Sequence, residues 1–233
     1  MRWVLGYLGA VCILVLIVCE SVAIPTFLKP FYGWQFDRND TANAISVEKD
    51  ELLRVTSEML DYMRGKRPDL DVVAKVGGVE REFFNQREKD HMADVRGLFD
   101  VGFRLRNISF WLLVLIILIM AFKKYRVVYF IARCGREIIT AFLLLTFFIV
   151  VVIAVDFNRA FEFFHLVFFD NDLWILDPAT DLLVNIVPTP FFISIAIFIG
   201  ILAAALSLAF IIAATLHLRR VAVFERYPGA AAK

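Results

Sequence analysis

Four stretches of the chain are apolar for long enough to enter a bilayer: residues 3–28, 108–122, 138–155 and 191–216. A hydrocarbon core of about 30 Å takes about 20 helical residues at about 1.5 Å each. The first stretch is interrupted by Glu20 and Pro25. The second is short, so its helix is expected to continue from the polar residues before it. The fourth is long enough to tilt. Between the first two lies a segment with a helical rather than a membrane pattern. In "SVEKDELLRVTSEMLDYMRGK", Leu52, Met59, Leu60 and Met63 form one stripe, and Glu48, Asp50 and Glu51 fill the first turn. Ser46 is placed as the N-cap and Gly65 as the stop. Arg67-Pro68 and Gly77-Gly78 mark loops, and a second helix is expected to start near 79–83.

This pattern gives an all-α membrane protein of four transmembrane helices, with a small helical extracytoplasmic domain between spans 1 and 2. The expected divisions are residues 1–29 (first helix), 30–106 (outer domain), 107–216 (helices 2–4 with an outer loop at 158–190) and 217–233 (cytoplasmic tail). A 60% hydrophobic composition agrees. The net charge of +1 gives no field for nucleic acid, so none is expected as a partner.

Local charge carries the orientation. Residues 123–137 hold Lys123, Lys124, Arg126, Arg133 and Arg136 against Glu137 alone, and the tail holds Arg219, Arg220, Arg226 and Lys233. The 158–190 loop holds only Arg159 against Glu162, Asp170, Asp172, Asp177 and Asp181. The positive-inside rule then puts both termini in the cytoplasm, and the 30–106 segment and the 158–190 loop outside. Arg104 and Arg106 run against this trend and are expected to snorkel. Ser21-Val22-Ala23 resembles a signal-peptide cleavage site, but the long apolar run favours an uncleaved helix. Cys12, Cys19 and Cys134 all lie outside the 30–106 segment, and no zinc-type spacing occurs.

The chemistry-bearing residues lie on the predicted outer side. Glu88, His91 and Asp94 are spaced by three, with Val95 and Leu98 following, which places them on one helix face. A carboxylate beside an imidazole raises its pKa and fixes its tautomer, as a general base needs and as a metal-bound histidine needs. In "FEFFHLVFFDNDLW", Phe161, Phe164, His165 and Phe168 share a face of a short helix at the membrane boundary. Turns are expected at Asp170-Asn171-Asp172 and at Asp177-Pro178. The topology lets His91 and His165 meet. His217, at the cytoplasmic end of the fourth span, is excluded. Each histidine also has a purely structural reading: a hydrogen-bonded aromatic-belt residue for His165, a solvated ion-pair ladder for His91, a head-group contact for His217. Glu20 is a costly charge near a span, which snorkelling would relieve. No GxSxG motif and no outer cysteine supplies a nucleophile.

"EKDHMADVRGLF" and "FEFFHLVFFDNDLWILDPATDLL", followed by "PTPFF", resemble the signature of the lipoprotein intramolecular transacylase (Lit) family of Gram-positive bacteria. The resemblance implies the same order of one span, an outer domain and three spans. It implies a substrate, a diacylglyceryl-modified lipoprotein, whose sn-2 acyl chain moves from glycerol to the α-amine of the N-terminal cysteine. The product is the N-acyl, S-monoacylglyceryl (lyso) lipoprotein. The family's two catalytic histidines map onto His91 and His165; Asp94, Asn171, Asp172, Trp174 and Asp177 map onto further motif positions without an assigned role. Amine and ester sit in one substrate, so a base, an acid and a few donors suffice, and no cofactor or metal is required. His91, oriented by Glu88 or Asp94, is the expected base, and His165 the acid or oxyanion donor; the reverse assignment stays open. Membrane lipid is the other expected partner. The rival classes are a metal-dependent membrane hydrolase, with His91, His165 and nearby carboxylates as ligands, and a non-enzymatic pH- or metal-sensing membrane protein.

Overall fold

A computed structural model describes residues 1–226. Within them the order is α1 (Arg2–Thr26), α2 (Lys29–Asn39), α3 (Thr41–Ala44), α4 (Lys49–Met63), β1 (Val73–Val76), β2 (Val79–Glu82), α5 (Gln86–Phe122), α6 (Val127–Val155), α7 (Phe157–Phe168), α8 (Leu182–Ile186) and α9 (Thr189–Arg226). Lys233 and the rest of residues 227–233 of the expected tail lie outside the described residues. Four helices, α1, α5, α6 and α9, are long and apolar enough to cross a membrane.

Three of them, α5, α6 and α9, run beyond the hydropathy reading, and α1 stops two residues short of it. Helical hydrogen bonding does not stop where apolar character does. α5 is continuous over 37 residues, so the short second span does extend from the polar helix before it. α6 starts at Val127 and takes in most of the basic 123–137 segment. α9 continues past Leu216 to Arg226. α1 ends at Thr26, one residue after Pro25, and the Tyr32 hydroxyl caps it by donating to the Thr26 carbonyl at 2.9 Å.

The chain divides into two compact units. One comprises Met1–Val22, Arg104–Val151 and the chain from Ile199. Small residues let its helices approach. A Cβ on Gly135 would come within 2.5 Å of the Phe210 ring, and one on Gly6 within 3.0 Å of the Cys134 sulfur. Cys12, Ile116, Met120, Phe130 and Ile131 pack as its buried cluster. Glu20 is paired here, 3.5 Å from Arg106, which removes the isolated charge that the sequence suggested.

The other unit comprises Ala23–Phe103 and Val152–Phe198. α4 buries Leu52, Val55, Met59, Leu60 and Met63, the expected stripe with Val55 added. Its N-cap is Glu48, not Ser46. Ser46 sits at φ 55°, and its carbonyl accepts the Gly77 N–H at 2.9 Å. The second correction is the β-hairpin, where only loops and a helix start were expected. β1 and β2 pair antiparallel with Val76 opposite Val79. Gly77 and Gly78 have φ of 59° and 85°, the two left-handed positions of the tightest hairpin loop. The following helix therefore starts at Gln86, after Phe83 and Phe84 have been buried edge to face.

Candidate active site

α5 begins with a reciprocal cap. The Asn85 side-chain oxygen accepts the Glu88 N–H at 3.0 Å, and the Glu88 carboxylate accepts the Asn85 N–H at 2.6 Å. The other Glu88 oxygen accepts the Leu183 N–H at the start of α8. Glu88 is 1% exposed, and burial pushes its carboxyl above the ordinary range, with the Leu183 and Asn85 N–H groups opposing. The Asn85 amide donates to Asp181 at 2.7 Å, and Asp181 also accepts the Asp177 N–H and the Thr180 hydroxyl. Burial would raise the Asp181 carboxyl, but these donors hold it below the usual value. This cluster, with Glu88 and Asp181 buried at its centre, ties the chain around 177–183 to the start of α5.

One turn beyond Glu88, His91 is 7% exposed. Neither expected carboxylate bonds to it. Glu88 is occupied by backbone N–H groups, and Asp94 accepts the Asn171 amide at 2.8 Å. His91 Nδ1 is buried without a hydrogen-bond partner. Burial, helped by the neighbouring His165 and Arg87 and opposed by Asp94, pushes its pKa down to about 4.

α7 supplies the second imidazole. Asp156 caps the helix by accepting the Arg159 N–H at 3.0 Å. Of the expected face, Phe161 and His165 turn inward, while Phe164 and Phe168 remain about half exposed. His165 is also 7% exposed, and its Nδ1 lies 2.7 Å from the Phe161 carbonyl. A carbonyl only accepts, so the neutral ring carries its proton on Nδ1 and its lone pair on Nε2. Burial lowers its pKa, and the Phe161 contact opposes that.

The two imidazole centroids are 6.1 Å apart, with Phe169 against both at 5.3 and 5.6 Å. Residues 170–175 form a strap beside them. Asn171 makes the expected turn by accepting the Leu173 N–H at 3.1 Å. The Trp174 indole N–H donates to the Asn171 carbonyl at 3.0 Å, and its ring stacks on His165 at 4.8 Å and 28°. Asp177 closes the second turn through the Ala179 N–H. Asp172 faces outward, 3.6 Å from the Arg87 guanidinium. His217 lies on α9 in the other unit.

Asn85, Arg87, Phe169 and Asp181 were not singled out from the sequence. Asn85-x-x-Glu88 is a legible capping signature; Phe169 and Asp181 lie inside the quoted 161–183 stretch, but no spacing marks their contacts or those of Arg87. Among the described residues, no group of three His, Cys, Asp or Glu side chains is placed to hold a metal ion.

The profile of the family described as lipoprotein intramolecular transacylase Lit matches residues 7–192. A comparison with curated proteins finds no match. Among solved structures, the chain is similar to the membrane integral lipoprotein intramolecular transacylase Lit from Bacillus cereus. That match has a TM-score of 0.76 at 18% identity over 97% of both chains. Two variants of the same Bacillus cereus protein, with one histidine changed to arginine or to alanine, each match with a TM-score of 0.69 at 17% identity. They cover 96% of this chain, and 94% and 96% of theirs.

Proposed function

This chain belongs to the lipoprotein intramolecular transacylase Lit family, and from that membership we propose that it carries out an O-to-N acyl transfer within one lipoprotein substrate. The sn-2 acyl chain of the diacylglyceryl group on the N-terminal cysteine moves to that cysteine's α-amine. The observation that supports this reading is the meeting of His91 and His165, with ring centroids 6.1 Å apart, in a member of that family. The site faces the extracytoplasmic side of a bacterial cell membrane, and both termini are cytoplasmic.

The contacts favour His165 as the base, the reverse of the assignment expected from carboxylate spacing. Its Nδ1–H is committed to a carbonyl, which leaves Nε2 to take the proton of the attacking amine. The amine nitrogen bonds to the sn-2 carbonyl carbon, and the carbonyl oxygen becomes an oxyanion. His91, held neutral by burial, donates an N–H to that oxyanion. Collapse breaks the carbon–oxygen bond to glycerol, and the His165 imidazolium returns its proton to the leaving oxygen. The products are an amide and a free glycerol hydroxyl, with no net proton change from the neutral amine. Each proton transfer contributes about 10²–10⁴-fold. Folding the substrate so that its amine meets the sn-2 carbonyl contributes further, as effective concentration.

A crossover experiment tests this. One lipopeptide carrying isotope-labelled sn-2 chains is mixed with an unlabelled lipopeptide of different mass, the purified protein and a chelator. All label is expected as amide on the peptide that supplied it. Label on the second peptide refutes an intramolecular transfer. Release of the chain as fatty acid indicates a hydrolase, and loss of turnover on chelation indicates metal ligands rather than acid and base.

A further inference from the structure

We propose that Arg87 is a positioning residue for this reaction: from one helical turn before His91 it grips the strap on both sides of Trp174 and so holds the indole against His165. The proposal rests on the reading of His165 as the proton acceptor. Arg87 Nε donates to the Ile175 carbonyl at 3.2 Å, and its terminal nitrogen donates to the Asp172 carbonyl. These two carbonyls bracket Leu173 and Trp174. The Asp172 carbonyl also accepts the Ile175 N–H at 3.0 Å, so the guanidinium locks a turn that is already closed on itself. On its other side the indole is held by the Asn171 carbonyl. A guanidinium offers Nε–H and a terminal N–H at a fixed separation that matches the two carbonyls; an ammonium gathers its donors on one atom at the end of a flexible stem and fixes no such spacing. The ion pair to the Asp172 carboxylate adds little, since both side chains are exposed.

The indole face is electron-rich and favours a cation laid upon it. His165 becomes such a cation when it takes the amine proton, so the stacked Trp174 supports the protonated state without replacing the Phe161 contact. Arg87 has a second effect through space. It precedes His91 by four residues on the same helix face. The charged or titratable groups that act on His91 are Arg87 and Asp94 from α5 and His165 from α7. Arg87 and His165 oppose a positive charge on His91, and Asp94 favours one. The same guanidinium therefore frames the ring that gains a proton and adds to the burial that keeps the other ring a neutral donor.

The chain has three histidines, so selective ¹³C-histidine labelling in nanodiscs gives three signals, with His217 as the internal control. Two variants separate shape from charge. Arg87→Lys keeps the charge and loses the fork. It is expected to remove the Trp174 ring-current shift from His165, leave the His91 titration in place, and lower kcat about 10- to 100-fold with KM changed less than about twofold. Arg87→Gln is expected to do the same and also to raise the His91 pKa. An unchanged His165 shift and unchanged kcat in both variants, with His217 undisturbed, overturn the proposal. The spectra need no turnover. Altered spectra in a protein that never transfers an acyl chain would refute the transacylase reading and leave the Arg87 contact standing.

Discussion

At the scale of single residues, helix spacing identifies neighbours but not bonds. Glu88 and Asp94 flank His91 at three residues on either side, and both were read as its partners. Helical side chains lean toward the N-terminus of their helix. Glu88 therefore leans away from His91 and meets the free N–H groups of the helix start, which offer a buried carboxylate more than an imidazole does. Asp94 leans toward His91 but is taken by Asn171, a partner from a distant part of the chain. The two histidines and the turn residues of the strap were legible; the tautomer was not, because it depends on a carbonyl whose approach only the folded helix defines. The pH consequences follow from burial. Both histidines titrate below about 6.5, their ordinary value, so the folded protein binds fewer protons than the unfolded chain in that range. Stability contributed by His91 is thus present above about pH 6.5 and is lost as pH falls toward about 4. An acid-unfolding titration of His91→Asn should be shallower over this window than that of the unaltered protein. In kinetics, the rising limb of kcat/KM should follow the substrate amine, near about 7.7–8.0, rather than a histidine. His91→Ala and His165→Ala should each remove nearly all activity, with little further loss in the double variant. Multiplicative losses would mean that the two rings act separately.

At the scale of elements, the main departures from the sequence reading are a hairpin and the helix boundaries. β2 reads Val-Glu-Arg-Glu and is exposed throughout, so no apolar alternation announced a strand. The Gly-Gly pair was the available signal, and it was read as a loop without its flanks. The long helices were found because a bilayer-length apolar run is a strong pattern; their ends were missed because Arg and Lys extend a helix as readily as Leu does. Glu88 links elements that no periodicity connects, α5 and α8. Glu88→Ala leaves the buried Leu183 N–H unsatisfied, at a cost of about 1–3 kcal/mol before any relaxation, and removes the acceptor of the partly buried Asn85 N–H. Hydrogen exchange at these two amides is expected to accelerate, with a lower Tm in detergent. Glu88→Gln should be intermediate, since its amide keeps one acceptor and turns a donor toward the remaining N–H. Unchanged exchange at Leu183 would show that the carboxylate does not hold α8.

At the scale of the whole molecule, family membership and four long apolar helices make this a multi-pass membrane protein. Which face carries the histidines is a matter of charge. The cluster Lys123, Lys124, Arg126, Arg133 and Arg136 argues for a cytoplasmic end between α5 and α6. Cysteines placed at Lys66 or Thr180 should react with an impermeant maleimide in intact cells, and one at Lys124 should react only after lysis. Labelling of Lys124→Cys in intact cells would place the imidazoles in the cytoplasm, away from the proposed substrate. The hairpin tip bears on such work in a different way. A Cβ at Gly77 or Gly78 would meet nothing within 4 Å, and both ends of the loop are already fixed by strand pairing. A foreign epitope flanked by glycines, grafted between these two residues, would hang from a stiff two-stranded stem rather than interrupt a helix. The fold thus carries its own handle for antibody capture, set in the segment between α4 and α5 and made of residues that touch neither imidazole.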